Sequence, residues 1–286
     1  ILHNRSIFFS NDDEVKHFLE KRSIENSKKH QQPATLNVKS NLDKLTLNNM
    51  QVFRFNFRHE KNQKILYLHG GYNTLQPSPF HWRLLDKLTL NTLHEVVLPI
   101  YPKSPDYHYL ETFKAIRDVY NQLVEEVGAS NIVMMGDGSG GGLALSFVQS
   151  LINDNQEVPR KLFLLSPLLD ATLTNPNITK TLEENDILVS RFGVHQLMKS
   201  WTNDLPLSDA RISPLYGTLK GLPPIYMYGG GREILSPDMH AFTHALEECG
   251  NDVEFKEYPK MVHDFPIYPI RQSHKVLKHI TKSILE

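Results

Sequence analysis

From about Val52 onward, short apolar runs alternate with amphipathic stretches along the chain. Val52, Phe53, Phe55 and Phe57 suggest a strand, and Ile65-Leu66-Tyr67-Leu68 a buried one. Further runs stand at Glu95-Val96-Val97-Leu98, Ile132-Val133-Met134-Met135, Leu162-Phe163-Leu164-Leu165 and Ile225-Tyr226-Met227-Tyr228. Each is bounded by turn residues. Between them lie helical patterns, clearest where Phe113, Ile116, Tyr120, Leu123, Val124 and Val127 share one stripe. Such alternation predicts an α/β fold: a mainly parallel central sheet with right-handed crossovers and helices on both faces. Ligands then belong at the carboxyl ends of the strands.

Two stretches depart from that rhythm. Near the start, Asn11-Asp12-Asp13-Glu14 has the composition of a helix cap ahead of Val15, Phe18, Leu19 and Ile24, which predicts an amphipathic arm. The segment from Asp170 to about Asp209 has helical material around Phe192 to Trp201 but no convincing strand, and reads as a helical cap inserted into the sheet domain. The expected organisation is therefore an N-terminal arm over 1–45 and one domain over 46–286, with the cap at about 170–210. No internal repeat or low-complexity tract is visible.

Composition narrows the function classes. The 286 residues are 40% hydrophobic and 22% charged, with a formal net charge of -1. That is enough apolar material for one sizeable core, without the field expected of a nucleic-acid binder. A small molecule is the expected partner, with a homodimer left open. Cys249 is the single cysteine, so no intrachain disulfide or thiolate metal site is available. His240 and His244 are four apart on a predicted helix but lack the glutamate of a zinc-protease motif. Neither a metal nor a cofactor is expected. No stretch approaches the length of a membrane span. The cytoplasm is the default compartment, left open because the chain begins at Ile1 without methionine.

Chemistry concentrates in two glycine-rich turns. Ile132 to Met135 runs into Gly136-Asp137-Gly138-Ser139-Gly140-Gly141-Gly142 and then Leu143-Ala144-Leu145, the context of a nucleophile elbow. Small neighbours give the room that a strained strand-to-helix turn needs. The same glycines also suit a tight packing turn or a phosphate loop. Upstream, His69-Gly70-Gly71-Tyr72 follows a buried strand, and backbone N–H groups there could face a tetrahedral oxyanion. Alone that motif is weak; ahead of the second turn, in this order, it gains force.

With these motifs the chain resembles the hormone-sensitive-lipase-like, or fold-3, family of α/β-hydrolases over nearly its whole length. That family has an HGGG oxyanion motif, a GDSAGG elbow, an acid after a later strand and a C-terminal histidine. The matching stretches here are His69 to Tyr72, Gly136 to Gly141, Glu233 within Gly229-Gly230-Gly231-Arg232-Glu233, and His263-Asp264-Phe265. The resemblance implies hydrolysis of small acyl esters, with His263 as base, Glu233 as its orienting acid, and Asp238 as a rival acid. It also implies an oxyanion hole from the amides of Gly70, Gly71 and Ser139, and a lid formed by the arm and the insertion.

This sequence departs from the family twice. Tyr72 replaces the last glycine of HGGG, which need not empty a hole made of backbone donors. More seriously, Gly138 stands where the serine belongs, and glycine carries no nucleophile. Either the turn shifts by one residue so that Ser139 becomes the nucleophile, or the chain is a pseudohydrolase that binds a ligand, as the related plant gibberellin receptors do. Asp137 would crowd a shifted elbow, whereas the retained Glu233 and His263 favour an enzyme.

Overall fold

In the computed structural model, which describes residues 9–56 and 63–286, eight strands form one sheet in the order β1-β2-β4-β3-β5-β6-β7-β8. The strands are β1 (Asn41–Leu47), β2 (Met50–Asn56), β3 (Lys64–Leu68), β4 (Glu95–Pro99), β5 (Ile132–Asp137), β6 (Lys161–Leu165), β7 (Ile225–Gly230) and β8 (Val253–Tyr258). Strands β1 and β2 pair antiparallel, as do β2 and β4; every later pair is parallel. This is the mainly parallel α/β sheet that the alternating pattern predicts, in the α/β-hydrolase arrangement that the resemblance implies.

The long apolar runs became the central strands because both their faces are covered. Every residue of β3, β4 and β5 is buried. One face packs against α2 (Pro79–Thr92) and α8 (Arg271–Leu285) through Trp82, Leu85, Leu88, Val276 and Ile280. The other packs against α3 (Tyr109–Val127), α4 (Gly138–Asn153) and α7 (Ser236–Glu248), with Ile116, Tyr120, Phe147 and Phe242 in the core. Phe57, which the sequence assigns to the second strand, lies outside the described residues.

The arm forms α1 (Asp12–Asn26), and the Asn11 side chain accepts the Glu14 amide hydrogen bond as a cap should. The arm is tied to the body at its far end, where Asn26 Nδ2 donates to the carbonyls of Thr74 and Ser104. The insertion holds α5 (Lys180–Asn185) and α6 (Arg191–Thr202). Gln196 of α6 donates to Asp12 of α1 at 3.3 Å, so arm and insertion touch. Strand β1 starts at Asn41, so the sheet begins earlier than the sequence pattern suggests.

The polarity of Lys28-Lys29-His30 suggests an exposed helix end, but His30 is partly buried against the Trp82 and Phe53 rings, and Trp82 Nε1 donates to its Nε2 at 3.2 Å. Burial, and then the nearby Lys103 charge, lower its pKa to about 4. Among the described residues no helix is long and apolar enough to cross a membrane.

Candidate active site

The strand register carries four loops to one edge. Leu68 pairs with Gly136, Asp137 with Leu165, and Leu165 with Tyr228. The residues just beyond β3, β5, β6 and β7 therefore stand in a row: Gly70 to Tyr72, the Gly138 turn, Ser166, and Gly230 to Glu233. His263 reaches the same edge from the loop after β8.

The glycines of the elbow are needed for packing. A Cβ on Gly136 would collide with the Gly140 carbonyl, one on Gly140 with the Leu68 carbonyl, and one on Gly142 with the Leu168 carbonyl. Helix α4 is thereby seated against the ends of β3 and β5. Asp137 is buried at its start, where Tyr67 Oη donates to Oδ1 at 2.6 Å and His81 Nε2 meets Oδ2 at 3.0 Å. Burial alone would raise its pKa, but His81, Tyr67 and the Gly70 amide together lower it. A Cβ on Gly70 would strike the Asp137 carboxylate. The Gly70 amide is a cause of that lowering, and Gly70 also lines the cavity beside Gly71, Tyr72 and Ser139.

Gly138 occupies the special position of the turn. Its φ is +50°, in the left-handed region, and a Cβ built on it would lie 3.4 Å from His263 Nε2 and 3.2 Å from Asp264 Oδ2. Gly138 and not Ser139 holds the left-handed position of the turn. Ser139 stands in the first turn of α4, and its Oγ accepts the Asn73 N–H at 3.2 Å.

His263 Nδ1 meets Glu233 Oε2 at 2.7 Å, and Glu233 is wholly buried. The other Glu233 oxygen accepts the Ser166 hydroxyl at 2.8 Å and the Gly230 amide at 2.5 Å. Asp238, the rival acid, is on α7 and bonded to Asn175 instead. Three residues to which the sequence reading gives no role complete the arrangement. Ser166 braces Glu233 and also accepts the Asp264 amide at 3.0 Å. Asn73 holds the Ser139 hydroxyl. Asp264 places Oδ2 3.1 Å from His263 Nε2. The only sequence signal for these was position, since Ser166 and Asn73 follow strand ends and Asp264 follows the histidine.

The electrostatics follow from this enclosure. Burial disfavours charge on the His263 ring, but the carboxylates of Asp264 and Glu233 outweigh it and raise its pKa well above the usual value. Burial pushes the Asp264 carboxyl up to about 6 despite the imidazole beside it. A cavity of about 180 Å³ opens over these groups, walled by Gly71, Tyr72 and Leu235 and by Leu188, Val189 and Val194 of the insertion.

The model of the α/β-hydrolase fold family matches residues 65–267, which contain the whole of this arrangement. The chain belongs to that family. An esterase from Acinetobacter venetianus is 34% identical over 208 residues, covering 72% of this chain and 68% of the esterase. A solved structure of a candidate esterase from Staphylococcus aureus is 64% identical, with a TM-score of 0.98, covering 100% of this α/β-hydrolase and 97% of that chain. A bacterial esterase of the hormone-sensitive lipase family superposes with a TM-score of 0.83 at 21% identity, covering 99% of this chain and 96% of its own, a likeness of fold.

Proposed function

We propose that this α/β-hydrolase cleaves small carboxylic esters, with His263 delivering water directly to the carbonyl in place of a serine. The observation that carries this reading is the direction of Gly138: its missing side chain would point at His263 Nε2 from 3.4 Å, so a reacting group in that space meets the base. Neutral His263, oriented by Glu233, takes a proton from water as the hydroxide adds to the carbonyl. The amides of Gly71, Tyr72 and Ser139 face the developing oxyanion. Collapse expels the alcohol, which receives the proton from His263. No acyl-enzyme forms on this route. With His263 as general base the rate should exceed the roughly 10³ to 10⁴ over water that a hole and binding alone provide, while lacking the gain of a covalent intermediate.

The reading is tested with p-nitrophenyl acetate and an organophosphonate probe. Slow turnover is expected, abolished by His263→Ala, with no phosphonate adduct on Ser139. Turnover unchanged in His263→Ala would overturn it. A second reading, a ligand-binding pseudohydrolase, is favoured by the hydrogen-bonded contact between Asp264 and Nε2, which occupies the base. That reading requires tight binding of an ester or acid with no turnover.

A further inference from the structure

Asp264 is the one acidic group of the cavity whose bonds do not account for it. Its side chain is 12% exposed, and it lies on the cavity wall. Oδ1 is closed off from the cavity and has no hydrogen-bond partner among the described residues, so a ligand reaches this carboxylate through Oδ2, the oxygen that faces His263 Nε2 and the space beside Gly138. Asp137, by contrast, has Tyr67, His81 and the Gly70 amide.

The charges around Asp264 point to the same ligand. Among the described residues no lysine or arginine lines the cavity, and its two histidines, His81 and His263, are each already matched to a carboxylate. His263 faces two carboxylates at once, Glu233 on Nδ1 and Asp264 on Nε2, so a protonated ring still leaves this trio one negative charge. A neutral acyl ester does nothing for that excess. A cation does.

Position then fixes where the cation sits on the ligand. The carbonyl must lie between His263 Nε2 and the amides beside Gly138, and Asp264 Oδ2 is only 3.1 Å from Nε2 and 3.2 Å from the Gly138 Cβ direction. A cation on Asp264 is therefore close to the carbonyl carbon. An amine on the adjacent carbon, about 2.5 Å from the carbonyl carbon by ordinary bond geometry, meets this condition, whereas a cation at the far end of an alcohol chain does not.

We propose that the cavity takes α-amino acyl compounds, esters or amides with a protonated primary amine beside the carbonyl, and that Asp264 holds the ammonium. This deepens the ester-hydrolase reading by naming its substrate class, and it rests on that reading only for where the acyl group lies. It also gives the substrate a part in freeing the base. The ammonium takes over as donor to Asp264, and its positive charge favours loss of the His263 Nε2 proton to solvent. A neutral ester leaves Asp264 on the ring.

The test measures binding, not turnover, with two nearly isosteric probes. Alaninamide carries the ammonium, and isobutyramide carries a methyl in its place. Ligand-observed NMR titration near neutral pH should show alaninamide bound at least about tenfold more tightly by the wild-type chain, as expected for a charge-assisted hydrogen bond. Asp264→Asn, checked for folding by thermal melt, should remove that difference. Equal binding of the two amides by the wild type, or binding of neither, overturns the proposal without recourse to a variant. A preference that survives in folded Asp264→Asn overturns the role of Asp264. Failure of the hydrolase reading looks different: alaninamide is preferred, yet no ester, amino or neutral, is turned over.

Discussion

Replacing Gly138 by serine puts the geometry of the elbow to its hardest test. The new Cβ would lie 3.4 Å from His263 Nε2, ordinary van der Waals contact, and 3.2 Å from Asp264 Oδ2, which is tight by a few tenths of an ångström. The Asp264 side chain has an exposure of 12% toward the cavity and can give way. The backbone cost is that of a β-carbon at φ +50°, about 1–2 kcal/mol, so the melting temperature should fall by a few degrees. Against this stands the return of a nucleophile next to a base oriented by Glu233. In a serine hydrolase of unrelated fold, loss of the nucleophile costs about 10⁶ in kcat, so even partial restoration should raise activity about 100-fold, equivalent to about 2.7 kcal/mol of barrier. The assay is p-nitrophenyl acetate turnover by Gly138→Ser and by the double variant Gly138→Ser with Ser139→Ala, together with a burst phase and a phosphonate adduct on residue 138. A folded double variant with activity no higher than the parent would show that residue 138 does not face the base, and the argument from its Cβ direction would fall.

Three other outcomes follow from the same geometry. Ser139→Ala should change ester turnover by less than about threefold while costing about 0.5–1.5 kcal/mol in a urea melt, since its hydroxyl serves the Asn73 amide; loss of most activity would make Ser139 the nucleophile after all. The pH dependence of kcat/KM should rise through a midpoint above the reference histidine value of about 6.5, because His263 must be neutral to accept a proton and its pKa is raised by Asp264 and Glu233. Asp264→Asn should move that midpoint down, and an unmoved midpoint in the folded variant would refute the assignment. Finally, a cavity of about 180 Å³ should favour acetyl and butyryl over long-chain p-nitrophenyl esters, and a rate that climbs steadily with chain length would contradict the enclosure.

The sequence was most legible where burial is two-sided. Strands such as Ile65 to Leu68 and Ile132 to Met135 stand out as continuous apolar runs because the parallel centre of the sheet is covered on both faces. The edge strands were missed for the opposite reason. Strand β8 carries Glu254, Lys256 and Glu257 and is half-buried throughout, while β1 is largely exposed, so neither has a run to detect. Motif order located the Gly138 turn, Glu233 and His263, but not the direction of any side chain. That direction depends on one positive φ at Gly138, which decides between Ser139 and the empty position beside it. Ser166 reaches Glu233 across 67 residues and Asp264 across 98, while Asp264 meets His263 from next door, separations at which no spacing rule operates. The His30 contact with Trp82 is likewise a tertiary event that local polarity around Lys28 and Lys29 conceals.

The seating of α4 bears on how such chains drift. Gly136, Gly140 and Gly142 face carbonyl oxygens that leave no room for a methyl group, so the fold requires them whether or not the chain turns over a substrate. Gly138 is under no such compulsion to be a serine once turnover ceases to matter. A lineage can therefore lose its chemistry while its most recognisable glycines stay fixed. A profile that scores those glycines measures architecture, and only the residue at the left-handed position and the group opposite it report on catalysis.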